Sequence, residues 1–295
     1  MMHIILMIAL CLTTLSVQAT QAGTGRYGVA RFPTPVLNSS DFKTIFGGPD
    51  GRSMKSDKCG QLRELEFIAL PGSVFTIREQ LKSGAASICR VETEEYSTTA
   101  SVKLYLDCRF LEFHDNAPPQ RPRRLPKRAD IVASLKESVG SSYVWGGNIL
   151  EGVPELADWW YGDLTGLDRR RLTLSGLDCS GLLYRASNGW TPRNSSQLVR
   201  FGQPVAVART TAEQIAETLQ PLDLIVWDGH VVIVLDHDST IESILAYGQP
   251  GKGGVVITPL KQRLKEIMRS RTPADSWPQD GKVHKHFVVR RWYGL

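Results

Sequence analysis

The chain of 295 residues carries 35 lysines and arginines against 30 aspartates and glutamates, a formal net charge of +5, and 42% of its residues are apolar. This composition is that of an ordinary globular protein and excludes a disordered or fibrous chain. The charge is well short of the basicity that indicates nucleic-acid binding, so no nucleic-acid partner is predicted. At roughly 100 to 200 residues per domain, the length predicts one large or two modest domains.

The N-terminal residues have the pattern of a secretory signal. Residues 4–15 are almost wholly apolar, and small residues follow, with candidate cleavage positions after Ala19 and Ala22. The run is too short for a membrane-spanning helix, so no transmembrane segment is predicted. A buried first strand or helix is disfavoured because the run has no polar face. We predict a signal peptide over residues 1–22 and an exported protein of the periplasm or cell envelope.

Residues 23–116 have the alternation typical of half-buried β-strands. Apolar and polar residues alternate from Val102 to Phe110 and from Leu65 to Ala69, just before the turn signal Pro71-Gly72. We predict a small all-β domain here. Prolines and basic residues crowd residues 117–128, where they oppose helix formation and strand pairing, so we predict a linker. Its basic residues are expected to be solvated, with contact to an anionic polymer as the alternative.

Residues 129–295 have a different periodicity. Helical spacing begins near Ile131 and recurs over residues 180–188 and 212–219. Three strand-like stretches follow, separated by turns, at residues 222–227, 230–235 and 240–246. Helices followed by an antiparallel meander predict an α+β domain.

Four cysteines follow the predicted signal peptide. Export permits disulfide bonds. Cys89 and Cys108 both lie in strand-like stretches and can pair, which would leave Cys59 and Cys179 free. The spacing does not by itself determine the connectivity.

Cys179 directly precedes a predicted helix. A thiol at a helix N-terminus faces unpaired backbone N–H groups and the positive end of the helix dipole, both of which favour the thiolate. The alternative is a small buried hydrophobic residue. A histidine in a strand after a glycine turn, His230, favours the chemical interpretation because imidazole can take the thiol proton and later protonate a leaving amine. Glu242, on the next predicted strand, is placed to orient that imidazole if the hairpin register puts both on one face.

Four stretches in order along this region resemble the signature of NlpC/P60 cysteine peptidases. They are Tyr143-Val144-Trp145-Gly146-Gly147, Asp178-Cys179-Ser180-Gly181-Leu182, Pro221-Leu222-Asp223-Leu224 and His230-Val231-Val232-Ile233. The resemblance runs from about Ile131 to Ala246. It implies a papain-like catalytic domain over residues 129–295, an SH3-like domain over residues 23–116, and cleavage of peptidoglycan stem peptides between D-isoglutamate and the diamino acid.

The resemblance also implies roles for the reacting groups. Cys179 corresponds to the nucleophile and His230 to the base. Glu242 falls at the third position, where the family carries a polar residue, often histidine. Tyr143 matches a tyrosine near the oxyanion site, where its hydroxyl and the Cys179 N–H are suitable donors.

Three further residues are candidates for substrate binding. Asp178 and Ser180 match residues that, in some members, bind the free amine of the L-Ala of the stem peptide, and Trp145 belongs to the motif that contains the tyrosine. A second interpretation of Asp178 is the N-cap of the following helix.

Two parts of the chain leave alternatives open. Residues 148–177 are longer than the usual connection and contain Trp159-Trp160-Tyr161 and Arg169-Arg170-Arg171. They either wall the cleft and bind glycan or acidic peptide, or form a surface insertion with packed aromatics. The N-terminal domain either anchors the enzyme to intact wall or closes one end of the cleft, which restricts the substrate to fragments with a free L-Ala.

No cofactor and no metal site are predicted. His284 and His286 are placed to share a strand face, but no cysteine or carboxylate pattern accompanies them. The glycine-rich residues 248–254 do not have the spacing of a phosphate loop.

These observations predict an exported, monomeric, metal-free cysteine endopeptidase that acts on peptidoglycan or muropeptides through a thioester acyl-enzyme. An amidase or acyltransferase on the same fold is the first alternative. A catalytically inactive wall-binding protein is the second.

Overall fold

The computed structural model describes residues 25–48, 50, 53–162, 164, 166–278 and 285–294. The predicted signal peptide (residues 1–22) and His284 lie outside the described residues. Across the described ranges, no helix is long and apolar enough to cross a membrane.

A seven-stranded antiparallel sheet forms the N-terminal half. Its strands are β1 (Tyr27–Ala30), β2 (Thr34–Leu37), β3 (Leu65–Ala69), β4 (Val74–Ser83), β5 (Ala86–Glu92), β6 (Leu104–Asp107) and β7 (Leu111–His114). Their order across the sheet is β3-β2-β6-β5-β4-β1-β7. Helix α1 (Phe42–Gly47) follows β2 and starts at Asp41, whose carboxylate accepts a hydrogen bond from the Thr44 N–H.

The strand predicted from Val102 to Phe110 is divided into two. A 3₁₀ turn at Cys108–Phe110 separates β6 from β7, and the Asp107 carboxylate caps it by accepting from the Arg109 N–H. Alternation alone cannot reveal this break, because the apolar residues of the turn are also buried. Cys108 forms a disulfide bond with Cys89 on β5, and Cys59 and Cys179 are free. The bond encloses a short loop and is expected to stabilise the sheet by about 3 kcal/mol.

The C-terminal half combines helices with a second sheet. Its helices are α2 (Arg128–Glu137), α3 (Pro154–Leu156), α4 (Gly166–Leu172), α5 (Cys179–Ala186), α6 (Ser195–Leu198), α7 (Ala212–Thr218) and α8 (Leu260–Met268). Its strands are β8 (Asn148–Ile149), β9 (Gly176–Leu177), β10 (Gln203–Val205), β11 (Leu224–Trp227), β12 (His230–Val234), β13 (Ser239–Leu245), β14 (Gly253–Pro259), β15 (Thr272–Ala274) and β16 (His286–Arg291). The sheet has the order β10-β16-β11-β12-β13-β14, with β15 parallel to β16, while β8 pairs with β9.

Helices cover both faces of this second sheet. Val231 and Ile233 of β12 pack into one hydrophobic cluster with α2 and α5, whereas Val232 and Val234 pack into another with α7 and α8. Burial on both faces explains why the central strands are continuous apolar runs and do not alternate. Each fully buried aliphatic side chain contributes about 1.5 to 3 kcal/mol. The predicted mixture of helices and sheets is confirmed; the SH3-like and papain-like assignments and the domain boundaries remain predictions.

Residues 148–177 pack between the two halves of the molecule. The Trp160 ring lies 5.5 Å from the Phe46 ring of α1, and the Trp159 ring lies edge-on to Phe110 at 4.7 Å. The Arg109 guanidinium stacks over Trp159 at 4.7 Å. The aromatics of this insertion therefore form an internal contact with the N-terminal sheet, which supports the packing interpretation over the glycan-binding wall.

The linker also joins the two halves, through a buried ion pair. Arg121 Nε lies 3.2 Å from Glu95 Oε1, and both side chains are almost fully buried. Glu95 Oε2 accepts hydrogen bonds from the hydroxyls of Ser73 and of Tyr184 on α5. Burial and the charge of Glu95 raise the pKa of Tyr184 to about 12. The expectation that the basic residues of the linker are solvated is wrong for Arg121, because this carboxylate draws it into the interface.

Replacing Glu95 by glutamine is expected to destabilise the protein by about 3 kcal/mol, because the substitution leaves the Arg121 guanidinium buried without its counter-charge. Glu79→Gln is the matched control, since Glu79 pairs with Arg90 on the exposed surface of the same sheet and contributes less than about 1 kcal/mol. Denaturant-induced unfolding with the disulfide intact measures both changes. Equal losses of unfolding free energy in the two variants would contradict the interpretation that the buried Arg121–Glu95 pair stabilises the fold.

Candidate active site

Cys179 is the first residue of α5, and Asp178 caps that helix. The Asp178 Oδ1 atom accepts the Gly181 N–H at 2.6 Å, so the predicted N-cap is present. Cys179 occupies the first helical position, so its N–H has no acceptor within the helix. The positive end of the helix dipole also lies there and stabilises a negative charge placed nearby. Only 7% of Cys179 is exposed. The thiol is thus largely shielded from bulk solvent.

The segment with Tyr143 crosses the start of α5 at close range. The Gly147 carbonyl accepts the Asp178 N–H at 2.9 Å, and Asp178 Oδ2 accepts the Gly146 N–H at 3.0 Å. A Cβ atom at Gly181 would overlap the Gly147 carbonyl oxygen, so only glycine permits this approach. Asp178 therefore holds two of the sequence motifs together, residues 143–147 and residues 178–182.

His230 begins β12, and Glu242 lies on the adjacent strand β13. The register pairs Val234 with Thr240, and paired residues face the same side of the sheet. Every second residue along a strand shares that face, so His230 and Glu242 lie on the same side. His230 Nε2 lies 2.7 Å from Glu242 Oε2. The structure thus meets the register condition on which the sequence-based assignment of Glu242 depends.

The Cys179 side chain lies close enough to His230 for the two groups to interact electrostatically. The Cys179 sulfur also lies 4.0 Å from the carbonyl oxygen of Gly229, the residue before His230. The Gly229 N–H donates to the Ser195 hydroxyl at 3.2 Å, which holds the turn in place. Thiol, imidazole and carboxylate therefore form a connected row, although 51 residues of chain separate the first two.

The charges in this row raise the pKa of His230. Burial opposes protonation, but the charge of Cys179 and its hydrogen bond, together with Glu242, outweigh burial and raise the pKa from 6.5 to about 9. Burial favours the neutral form of Glu242, but its hydrogen bonds with His230 and Arg263 hold its pKa below the ordinary value of 4.5. At neutral pH the imidazolium and the carboxylate are therefore the stable forms, which is the state that a Cys–His ion pair needs.

Arg263 on α8 holds the outer side of Glu242. Its Nε lies 2.6 Å from Glu242 Oε1 and its Nη2 lies 2.8 Å from Oε2, a bidentate ion pair with a fully buried carboxylate. Arg263 also contacts Glu266 at 3.2 Å. The sequence analysis missed Arg263, because nothing in the local pattern separates it from the other basic residues of α8.

Asp178 is paired with a second buried arginine that the sequence analysis missed. Arg193 is 2% exposed, and its Nη1 and Nη2 atoms lie 3.0 and 2.7 Å from the two Asp178 oxygens. Nη1 also donates to the Ser180 hydroxyl at 2.9 Å. Burial lowers the pKa of Arg193, but the Asp178 carboxylate outweighs burial and raises it. Asp178 and Ser180, expected to bind a substrate amine, therefore serve first as partners of Arg193.

The N-terminal half positions the segment with Tyr143 and Trp145. The buried Gln61 side chain accepts the Trp145 N–H at 2.8 Å and donates to the Tyr143 carbonyl at 3.4 Å. The Arg63 guanidinium lies 4.3 Å over the Trp145 ring. Burial, and to a smaller degree the charges of Asp178 and Cys179, raise the pKa of Tyr143 far above its usual value of 10, so its hydroxyl remains a donor.

Both halves line one cavity of about 300 Å³ at Cys179. The residues from the N-terminal half are Asn38, Arg63, Leu65, Glu66 and Tyr96, and those from the C-terminal half are Tyr143, Trp145, Gly146, Asp178, Cys179, Ser180, Arg193, Asn194, Ser195 and Gly229. His230 approaches Cys179 from β12, and Glu242 is buried beyond it. Within the described ranges, no group of three or more His, Cys, Asp or Glu side chains is placed to hold a metal ion.

Comparisons with solved structures find two proteins of low similarity, both described as NlpC/P60 proteins. No family model matches the chain, and no curated protein matches it. An NlpC/P60 family protein from Bacillus cereus ATCC 10987 aligns over 90% of this chain and 63% of its own at 18% identity, with a TM-score of 0.33. RipD from Mycobacterium tuberculosis, described as a non-catalytic NlpC/p60 domain protein adapted to peptidoglycan binding, aligns over 45% of this chain and 92% of its own at 21% identity, with a TM-score of 0.28.

The chain thus spans less than two thirds of the Bacillus protein.

Replacing Arg263 by methionine is expected to weaken the orientation of His230. Burial then dominates at Glu242 and raises its pKa, so Glu242 takes up a proton at a higher pH and His230 loses its charged partner. We expect the rate of Cys179 alkylation by iodoacetamide to fall on the order of tenfold near neutral pH, since a hydrogen bond to a charged group is worth about 1.5 to 3 kcal/mol. The acidic limb of the pH profile should move to higher pH.

Arg269→Met is the control for this measurement, because Arg269 ends the same helix and is exposed. An alkylation profile that is the same for both variants would show that Arg263 does not act on His230.

Proposed function

We propose that this protein is a cysteine endopeptidase that cleaves peptidoglycan stem peptides between D-isoglutamate and the diamino acid, and that its substrates are fragments with a free amino terminus. The observation that carries the proposal is the row formed by Cys179 at the start of α5, His230 and, 2.7 Å from its Nε2, Glu242. This is the nucleophile, base and orienting group that amide hydrolysis by a thiol requires.

In the first step, the Cys179 thiolate attacks the amide carbon, a C–S bond forms, and the carbonyl electron pair moves to oxygen. The Cys179 N–H and the Tyr143 hydroxyl are the donors for this oxyanion, and loss of one such donor typically lowers the rate a hundredfold or more, on the order of 3 kcal/mol. When the intermediate collapses, the C–N bond breaks and the His230 imidazolium gives its proton to the departing amine. The products of this step are a thioester and a neutral imidazole.

In the second step, neutral His230 takes a proton from water, and the water oxygen attacks the thioester carbon. The C–S bond breaks and its electron pair returns to sulfur, so the thiolate–imidazolium pair is restored. The acyl group leaves as a carboxylic acid and ionises. Glu242 remains ionised throughout and stabilises the imidazolium each time it forms.

Glu66 supports a substrate with a free amino terminus. It lines the cavity from the N-terminal half, and its carboxylate accepts hydrogen bonds from the Tyr96 hydroxyl and from Asn38 Nδ2, both at 2.6 Å. Over the part of the chain that the structure describes, no cation pairs with Glu66. A substrate ammonium group supplies that charge, whereas the L-Ala of intact wall is acylated and carries none. Asp178 and Ser180 act in this scheme through Arg193, by holding the two motifs together.

The N-terminal half also limits the size of the substrate. Asn38, Arg63 and Tyr96 line the cavity together with residues around the thiol, so the N-terminal half closes one side of it. The lining residues lie in segments that flank β2, β3 and β5, and their position at the cavity favours the cleft-closing role of the N-terminal domain over a role in anchoring alone.

The direct test is to incubate the protein with the tripeptide L-Ala-γ-D-Glu-diamino acid, the same tripeptide acetylated at its amino terminus, and intact sacculi. Mass spectrometry of the products is expected to show L-Ala-D-Glu and the free diamino acid from the first substrate. Cys179→Ala should lower the rate by a factor on the order of a thousand or more. Cys59→Ala, which removes the other free thiol, should retain activity.

Other products would identify other functions. Release of the whole stem from the sugar would indicate an amidase, and transfer of the acyl group to an added amine would indicate an acyltransferase. Binding without any product would indicate a wall-binding protein. A Cys179→Ala variant that cleaves at the wild-type rate would exclude Cys179 as the nucleophile.

Glu66→Gln is expected to lower kcat/KM for the free tripeptide by about 10- to 100-fold, because a hydrogen bond to a charged group contributes about 1.5 to 3 kcal/mol. The rate with the acetylated tripeptide should change little. Glu64→Gln, which alters the pair with Lys55 away from the cavity, is the control. An unchanged preference for the free amine in the Glu66 variant would place the ammonium site elsewhere.

A further inference from the structure

Arg63 is a cavity residue with no part in the chemistry described above. It precedes β3, lines the cavity with Cys179, and has 35% of its side chain exposed. No sequence motif singled it out. Its surroundings nevertheless hold it in one orientation.

Two contacts hold the Arg63 guanidinium in place. Its Nε lies 2.6 Å from Asp57 Oδ2, and its central carbon lies 4.3 Å over the Trp145 ring. Asp57 is itself fixed, because its Oδ1 accepts the N–H groups of Cys59 and Gln61 at 2.8 and 2.9 Å. Within the described ranges, the two terminal nitrogens of Arg63 make no hydrogen bond to the protein. A pre-positioned guanidinium edge therefore remains available to a ligand.

The charges around the cavity leave one negative group and one positive group available to a ligand. Four charged side chains line it: Arg63, Glu66, Asp178 and Arg193. Asp178 and Arg193 neutralise each other in a bidentate pair. The carboxylate of Glu66 and the free edge of Arg63 remain. A ligand that satisfies both carries an ammonium group and a carboxylate.

We infer that Arg63 binds the free α-carboxylate of a γ-linked glutamyl residue on the acyl side of the scissile bond. This inference rests on the proposed function. A γ-linkage leaves the α-carboxylate free beside the amide that is cut, and a planar guanidinium binds a carboxylate through two parallel N–H···O bonds. Trp145 shields one face of the guanidinium from water and thereby strengthens the interaction.

The inference has a consequence for substrate choice. Amidation of the α-carboxylate converts D-isoglutamate to D-isoglutamine. It removes the negative charge and places an NH₂ group, itself a donor, against the N–H groups of Arg63. The enzyme therefore discriminates against amidated stem peptides, and Arg63 is the residue that determines this specificity.

The test compares two tripeptides that differ only in this group, L-Ala-γ-D-Glu-L-Lys and its α-amide. The wild-type protein is expected to have a kcat/KM about 10- to 100-fold higher for the acid. Arg63→Gln should bring the ratio close to one, mainly through loss on the acid substrate, and Arg63→Lys should give an intermediate ratio because lysine lacks the planar fork. Arg90→Gln, at an arginine on β5 that does not line the cavity, should leave the ratio unchanged.

A binding measurement makes the test independent of turnover. Calorimetry with the Cys179→Ala protein compares two dipeptides, L-Ala-D-Glu and L-Ala-D-isoglutamine, which carries an amide in place of the α-carboxylate. The acid is expected to bind more tightly than the amide, and this preference should be lost when Arg63→Gln is added. Thermal unfolding of each variant shows that the fold is retained.

The two proposals fail in different ways. Equal cleavage of acid and amide by the wild-type protein overturns the role of Arg63 and leaves the proposed function standing. Absence of cleavage of both peptides overturns the proposed function, and the calorimetry still decides whether Arg63 selects a carboxylate.

Discussion

A buried ion pair between Arg193 and Asp178 connects the parts of the candidate site. Asp178 caps α5 and fixes the direction in which Cys179 points, and it accepts the Gly146 N–H from the segment that carries Tyr143. Arg193 supplies the counter-charge that allows a carboxylate to stay ionised in the interior, since an unpaired buried charge is strongly destabilising. Cys179 and the segment that carries Tyr143 are thus held in one frame by a single carboxylate with four partners.

A second ionic chain orients His230. Arg263 on α8 forms a bidentate ion pair with Glu242, and Glu242 holds Nε2 of His230. Arg193 thus supports the start of α5 through Asp178, and Arg263 supports His230 through Glu242. Rigid supporting contacts of this kind allow a thiolate–imidazolium pair to keep its geometry during a reaction cycle.

The N-terminal half is part of the same site. Gln61 holds the backbone on both sides of the Tyr143–Trp145 segment, and Arg63 stacks on Trp145. Trp159 and Trp160 of the insertion bury the contact between the two halves, and the Arg121–Glu95 pair ties the linker to it. The cavity at Cys179 is therefore lined by residues from both halves of the chain.

The sequence by itself determined the local elements and the reacting residues. The apolar periods located α2, α5, α7 and the strands β11 to β13, and the residue types at 179, 230 and 242 identified candidates because few side chains perform acid–base and nucleophilic chemistry. Only the tertiary structure decided which charges meet. Arg193, Arg263, Glu66 and Arg63 are ordinary polar residues in the sequence, and the partners Asp178, Glu242, Tyr96 and Asp57 lie from 6 to 30 positions away from them along the chain. Side-chain pairing across elements depends on strand register and on the packing of one half against the other, and neither is encoded in a local pattern.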